Sequence, residues 1–172
     1  VEYRFVEDYY TRFTNGQVAM DQIFFPQLTE SVLEKLGTGQ PLFSFSVSYQ
    51  GHGPYSSGGC GWGDVDNYVK NENLDEASRN ILANYFGSVR NTQKHLQAMV
   101  ERFRQSEEPI VLVVFGDHKP WLGNANSVYE ALGVNLNLST EEGVYNYLST
   151  EYLIWANDAA KARLGFDFTG RG

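Results

Sequence analysis

The sequence has 172 residues, the length of one ordinary domain, and 42% of them are hydrophobic, so a core can be buried without disulfides or a structural metal. A net charge of −8 opposes both nucleic-acid phosphates and the anionic face of a membrane, so an anionic ligand must be held by a few local groups. The single cysteine, Cys60, excludes an intramolecular disulfide and any multi-cysteine metal site, and leaves the compartment open.

The chain opens Val1-Glu2-Tyr3-Arg4, with no Met, no basic n-region and no apolar h-region, and it reads as a piece of a longer protein. From Asp21 to Leu36, Ile23, Phe24, Leu28, Val32, Leu33 and Leu36 recur at spacings near three and four, which predicts an amphipathic helix ending at Gly37 and kinked or delayed by Pro26. Pro41 to Ser48 alternates Leu42, Phe43, Phe45 and Val47 with serines, the pattern of a mostly buried strand with one small polar side. Gly51 to Asn73 is dominated by glycine and polar residues and reads as a long loop.

Asp75 to Arg104 carries the longest apolar stripe, including Ile81, Leu82, Tyr85, Phe86, Leu96, Met99 and Phe103, with Asn73 or Asp75 as its N-cap. Pro109 then opens Ile110-Val111-Leu112-Val113-Val114-Phe115, a run of the kind found in strands covered on both faces, stopped by Gly116. This is the longest apolar run, far short of the roughly 20 residues that cross a bilayer. A glycine- and asparagine-rich stretch, Gly123 to Leu138, leads through Glu141 and Tyr145 to a third strand, Tyr152 to Ala156. Asp158 to Leu164 predicts a short helix before the Gly170-Arg171-Gly172 tail. Strands separated by helices point to one α/β domain spanning 1–172, with a mostly parallel sheet.

In open α/β sheets ligands collect beyond the carboxyl ends of strands, and two of the three histidines stand there. His52 lies in Tyr49-Gln50-Gly51-His52-Gly53-Pro54-Tyr55, and His118 in Gly116-Asp117-His118-Lys119-Pro120. A carboxylate beside an imidazole offers one hard and one borderline ligand, suited to manganese, magnesium or zinc. Taken as a dipeptide alone, Asp117 capping a turn beside an exposed His118 is the more frequent arrangement. An imidazole between two glycines can donate to a phosphate or protonate a leaving oxygen, although Gly-His-Gly-Pro is more often only a turn. Gly58 to Gly63 fits neither a dinucleotide nor a Walker register, and the Asp64-Val65-Asp66 start of a calcium loop is spoiled by Val69 where glycine is required.

Phe45 to Tyr55, Val113 to Pro120 and Tyr152 to Asn157, taken as an ordered set, resemble the carboxyl-terminal half of the lipoteichoic acid synthase-like sulfatases, phosphoglycerol transferases of the alkaline phosphatase superfamily. The likeness runs from about Gln17 to Gly165. It implies a partial α/β/α sandwich of the alkaline phosphatase or sulfatase type, the carboxyl-terminal part of a longer catalytic domain. It also implies that Asp117 and His118 ligate one divalent ion, manganese first with magnesium or zinc as substitutes, and that His52 contacts the phosphoglycerol group of the substrate.

The family's nucleophilic threonine and glutamate ligand would lie upstream. None of Thr11, Thr14, Thr29 and Thr38 stands in the nucleophile's context, so no catalytic residue is assigned within this chain, and the chain alone should not turn over. The implied partners are a lipid-linked phosphoglycerol donor and a glycerol-containing acceptor, with no nucleic acid. The implied place is extracytoplasmic, tethered to the cell membrane through upstream helices. A true sulfatase or phosphatase, or a non-catalytic binding module on the same fold, are the rival readings.

Overall fold

The computed structural model describes residues Glu2, Tyr3 and 20–167; Thr11, Thr14 and the Gly170–Gly172 tail lie outside the described residues. The order is α1 (Asp21–Leu36), α2 (Glu76–Arg104), β1 (Val111–Phe115), α3 (Ser127–Ala131), α4 (Glu141–Leu148), β2 (Tyr152–Ala156) and α5 (Asp158–Leu164), with single 3₁₀ turns at Val65–Asn67 and Asn124–Asn126. The chain clusters into two compact units, one of Val1–Gln50, Asn91–Val114 and Leu153–Gly172, the other of Gly51–Arg90 and Phe115–Tyr152. Among the described residues no helix is long and apolar enough to cross a membrane.

In the first unit Phe24 and Phe25 of α1, Met99 and Phe103 of α2, and Ile110 form the core, with Leu28, Val32, Leu33, Leu112 and Trp155 packed around them. Pro26 neither delays nor breaks α1. Its missing N–H leaves only the carbonyl of Gln22 without an amide, and Gln22 is exposed to water. Asp21 is fully buried at the start of α1, where Thr92 donates to its carboxylate. Burial holds the Asp21 carboxyl above its usual range against the opposing pull of Thr92 and His95. The Asp21 N–H donates to Gln50 Oε1 (3.0 Å), and Gln50 Nε2 donates to Asn91 Oδ1 (2.9 Å), so the segment entering Gly51 is tied at its last residue.

The sheet departs from expectation. The two strands of the described residues pair with each other antiparallel, bracketed by Gly116 N–H to the Glu151 carbonyl (3.3 Å) and Asn157 N–H to the Ile110 carbonyl (3.1 Å), where a mostly parallel sheet was predicted. Asn157 explains the direction: it fastens the end of β2 to the start of β1, so the strands must run oppositely. Its Oδ1 accepts from Ile110 N–H and from Ala160 N–H (both 3.0 Å), capping α5. Its Nδ2 donates to the carbonyls of Phe103, Ser106 and Glu108 (3.3, 3.1 and 2.8 Å).

The Leu112 and Trp155 face of this ribbon packs on the core, whereas Val111, Val113, Phe115, Tyr152 and Ile154 are exposed. β1 is therefore covered on one face and not on two. Pro41 to Ser48 forms no strand, and Phe43 is 90% exposed. Alternation marks a chain suited to a pleat, but a strand exists only where a neighbour accepts its hydrogen bonds, and none does among the described residues.

In the second unit Val69, Leu74, Ile81, Leu82, Ala83, Leu122 and Val128 make a separate core, joined by Tyr55, Tyr68, Tyr85 and Tyr129. Asp75 caps α2 by accepting from Ser78 N–H (2.7 Å), and those hydrogen bonds from Ser78 hold its carboxyl below the usual carboxylate range.

Candidate functional site

The second unit carries all three predicted site residues. The turn that holds His52 is built against the first half of α2. The Tyr55 hydroxyl donates back to the Gly51 carbonyl (2.5 Å), closing the turn around His52, and its ring stands edge-on to Tyr85 with centroids 5.7 Å apart. The Gly53–Pro54 bond within this turn is cis.

Beyond it, Asn84 organises the glycine-rich segment. Its Nδ2 donates to the carbonyls of Ser56 (3.0 Å) and Gly59 (2.8 Å), and its Oδ1 accepts from Gly61 N–H (2.9 Å). Asn80, one turn earlier, donates to the Ser57 carbonyl (2.9 Å). Trp62 closes the segment over Gly87, where any Cβ would collide with the indole. The predicted loop is thus held by side chains in place of a ladder. Sequence reasoning missed this, although asparagines at positions 80 and 84 interrupt the apolar face of an otherwise regular stripe, and a buried polar pair one turn apart calls for partners.

Burial pushes the Tyr55 phenol up to about 12, with smaller contributions from the Tyr85 and Tyr129 hydroxyls. The neutral phenol is the form that donates to Gly51. Because the folded value lies above the ordinary phenol value of about 10, this group's contribution to stability is complete below about pH 10 and is lost between there and about pH 12. Denaturant midpoints measured across that range are expected to fall, and to fall less steeply in Tyr55→Phe; an unchanged slope in the variant removes Tyr55 as a cause.

After β1, Gly116 is held by the ladder and by Thr150, whose hydroxyl donates to the Gly116 carbonyl (2.7 Å). Asp117 Oδ1 accepts from His118 N–H (3.0 Å), which leaves Oδ2 facing His118 Nε2 at 3.8 Å. His118 Nδ1 lies 2.8 Å from the Lys119 carbonyl, and a carbonyl only accepts, so Nδ1 carries the proton and the neutral ring presents the Nε2 lone pair. Two metal bonds of about 2.1 Å span up to about 4.2 Å, so Asp117 Oδ2 and His118 Nε2 can reach one ion together. A backbone carbonyl on the far nitrogen is the usual way a ligating imidazole is oriented. The donor pair therefore fits a divalent ion at two positions. Among the described residues no group of three or more His, Cys, Asp or Glu side chains gathers to hold one.

His52 stands beside this pair. Its ring meets that of His118 edge to face, with centroids 6.1 Å apart and planes at 89°. Its Nδ1 lies 2.7 Å from the Gly53 carbonyl, so this nitrogen also carries a proton. In the neutral ring Nε2 is then an acceptor, and it becomes a donor to an anionic oxygen only in the imidazolium. The three residues converge although 66 positions separate His52 from His118. Cys60 is half-buried in the glycine-rich segment, packed against the second core.

Residues 3–165 match the Sulfatase family model, and the chain belongs to that family. It has the alkaline phosphatase-like α/β fold that membership implies, present here as part of a domain. Across 127 residues, 68% of this chain, it is 30% identical to a protein of Rhizobium meliloti (strain 1021) named for cyclic beta-1,2-glucan modification. The aligned part makes up 18% of that relative's length. No solved structure matches the chain.

Proposed function

We propose that the protein is a metal-dependent phosphoglycerol transferase of the cell envelope, moving the group from phosphatidylglycerol-type lipids to a glycan. The observation that carries this reading is the convergence of His52 on the Asp117 and His118 pair at the carboxyl end of β1, in a chain of the Sulfatase family. The relative's name supplies the acceptor class, a glucan hydroxyl.

Asp117 and His118 would hold the divalent ion, manganese first and magnesium or zinc as substitutes. When bound it would neutralise phosphoryl oxygens and lower the pKa of a coordinated hydroxyl. His52 as the imidazolium donates through Nε2 to a non-bridging oxygen or gives its proton to the departing diacylglycerol oxygen. A nucleophile supplied from upstream takes the phosphoglycerol group, breaking the bond between phosphorus and the diacylglycerol oxygen, which leaves protonated. The acceptor hydroxyl then gives its proton to the His52 imidazole left neutral by the first step and forms the new phosphorus–oxygen bond as the bond between phosphorus and the nucleophile breaks, which frees the nucleophile. The site faces the extracytoplasmic side, where both lipid head group and glycan are found, and membrane attachment comes from helices upstream.

The full-length protein, incubated with phosphatidylglycerol vesicles, manganese and cyclic β-1,2-glucan, should release diacylglycerol and leave glycerol phosphate on the glucan. Cleavage of aryl sulfate with no diacylglycerol release would replace this reading with a sulfatase.

A further inference from the structure

Trp121 lies three residues beyond His118 and is 60% exposed, an unusual cost for the largest apolar side chain. The backbone on either side of it is held firmly. The Tyr129 hydroxyl donates to the Pro120 carbonyl (3.0 Å). Leu122 is buried in the core, its N–H donates to Asn126 Oδ1 (3.1 Å), and its carbonyl accepts from Val128 N–H (3.3 Å). The loop that makes these bonds places two successive non-glycine residues in left-handed conformation, Ala125 (φ 50°) and Asn126 (φ 63°), each costing on the order of 1 kcal/mol. Strain and hydrogen bonds together fix the turn that presents an indole outward, three residues along the chain from the candidate metal pair.

We infer that Trp121 is the stacking platform for a sugar ring of the acceptor, an inference that rests on the function proposed above. An indole is rigid and amphipathic, and it loses little conformational entropy on binding. Its flat apolar face suits the C–H face of a neutral pyranose, while the exposed Asn124 and Ser127 of the same loop supply donors and acceptors for hydroxyl groups. A net charge of −8 disfavours an anionic occupant at an uncompensated surface and leaves a neutral glycan unopposed. The place is also chemically apt, since an acceptor must approach the phosphorus from beside the ligands and not through them.

The test is saturation-transfer NMR and calorimetry on the full-length protein with sophorose, the β-1,2-linked glucose disaccharide. Wild type should bind it, Trp121→Ala should bind it about tenfold more weakly, the loss expected of a truncated stacking platform, and Trp121→Phe should recover part of the affinity. An exposed side chain can be removed without unfolding the protein. Equal affinity in wild type and Trp121→Ala overturns the platform, as does a wild type that binds no sophorose because another part of its own chain covers the indole. These results are independent of the donor chemistry. Diacylglycerol release with sophorose binding unchanged in Trp121→Ala would retain the transferase and reject the platform, whereas sulfate cleavage with binding lost in Trp121→Ala would do the reverse.

Discussion

Removing the His118 imidazole from the full-length protein is expected to lower transfer by about 10³-fold and to strip the bound ion, while removing His52 lowers transfer by about 10²-fold and leaves the ion in place. The first figure is the several kcal/mol that a positioned divalent ion gives to a phosphoryl transition state. The second is the usual scale for a positioned acid or base. The difference follows from geometry. His118 Nε2 and Asp117 Oδ2 face each other at 3.8 Å and can share one ion, whereas His52 follows a separate turn and meets the pair through its ring. Metal analysis of His118→Ala, Asp117→Ala and His52→Ala, run beside diacylglycerol release, checks both halves. Loss of the ion in His52→Ala would move that residue into the coordination shell.

Asn157→Ala is expected to destabilise the fold by about 3 kcal/mol, the largest structural effect of any single truncation considered. The side chain is 2% exposed and satisfies two N–H groups and three carbonyls drawn from α2, the connection to β1, the residue just before β1 and α5. Alanine would lose a helix cap worth about 1 kcal/mol and leave buried backbone groups unpaired at about 1 to 3 kcal/mol more. Asn157→Asp separates these contributions. Aspartate caps a helix as well as asparagine does, yet here its second oxygen would face the carbonyls of Phe103, Ser106 and Glu108. It should therefore also destabilise at neutral pH. Chemical denaturation of the three proteins decides the matter, and wild-type stability in Asn157→Asp would reduce the residue to a cap.

What the sequence made legible was whatever depends on neighbours along the chain. The stripes of α1 and α2, the strand Tyr152–Ala156 and the helix Asp158–Leu164 were all readable, since their periods are local. The segment from Pro41 to Ser48 had the right alternation and still formed no strand, because pairing is decided by a distant partner. The sense of the sheet failed for the same reason, as Asn157 reaches across to Ile110 from 47 positions away. α3 was overlooked inside the asparagine-rich stretch and α4 just after it, even though Thr140, which caps α4 by accepting from Gly143 N–H, precedes two glutamates in the first turn. At the site, the dipeptide Asp117-His118 and the glycine-flanked His52 stood out by position after apolar runs. Their meeting was not readable from either motif, and the imidazole tautomers depend on carbonyls whose direction only the folded turns fix.

The ribbon of β1 and β2 has a further consequence for how the polypeptide behaves when concentrated. Among the described residues its two strands pair only with each other, so each keeps one open edge, and Val111-Leu112-Val113-Val114-Phe115 contains neither charge nor proline. Such a segment is a template for copies of itself. It is bounded by Glu107-Glu108-Pro109 on one side and by Asp117-His118-Lys119-Pro120 on the other, a charge and a proline at each end. These flanks act as gatekeepers against self-assembly. Under the proposed function Asp117 would have two duties that pull the same way, since a carboxylate kept exposed for an ion is also a carboxylate placed where it repels a second strand.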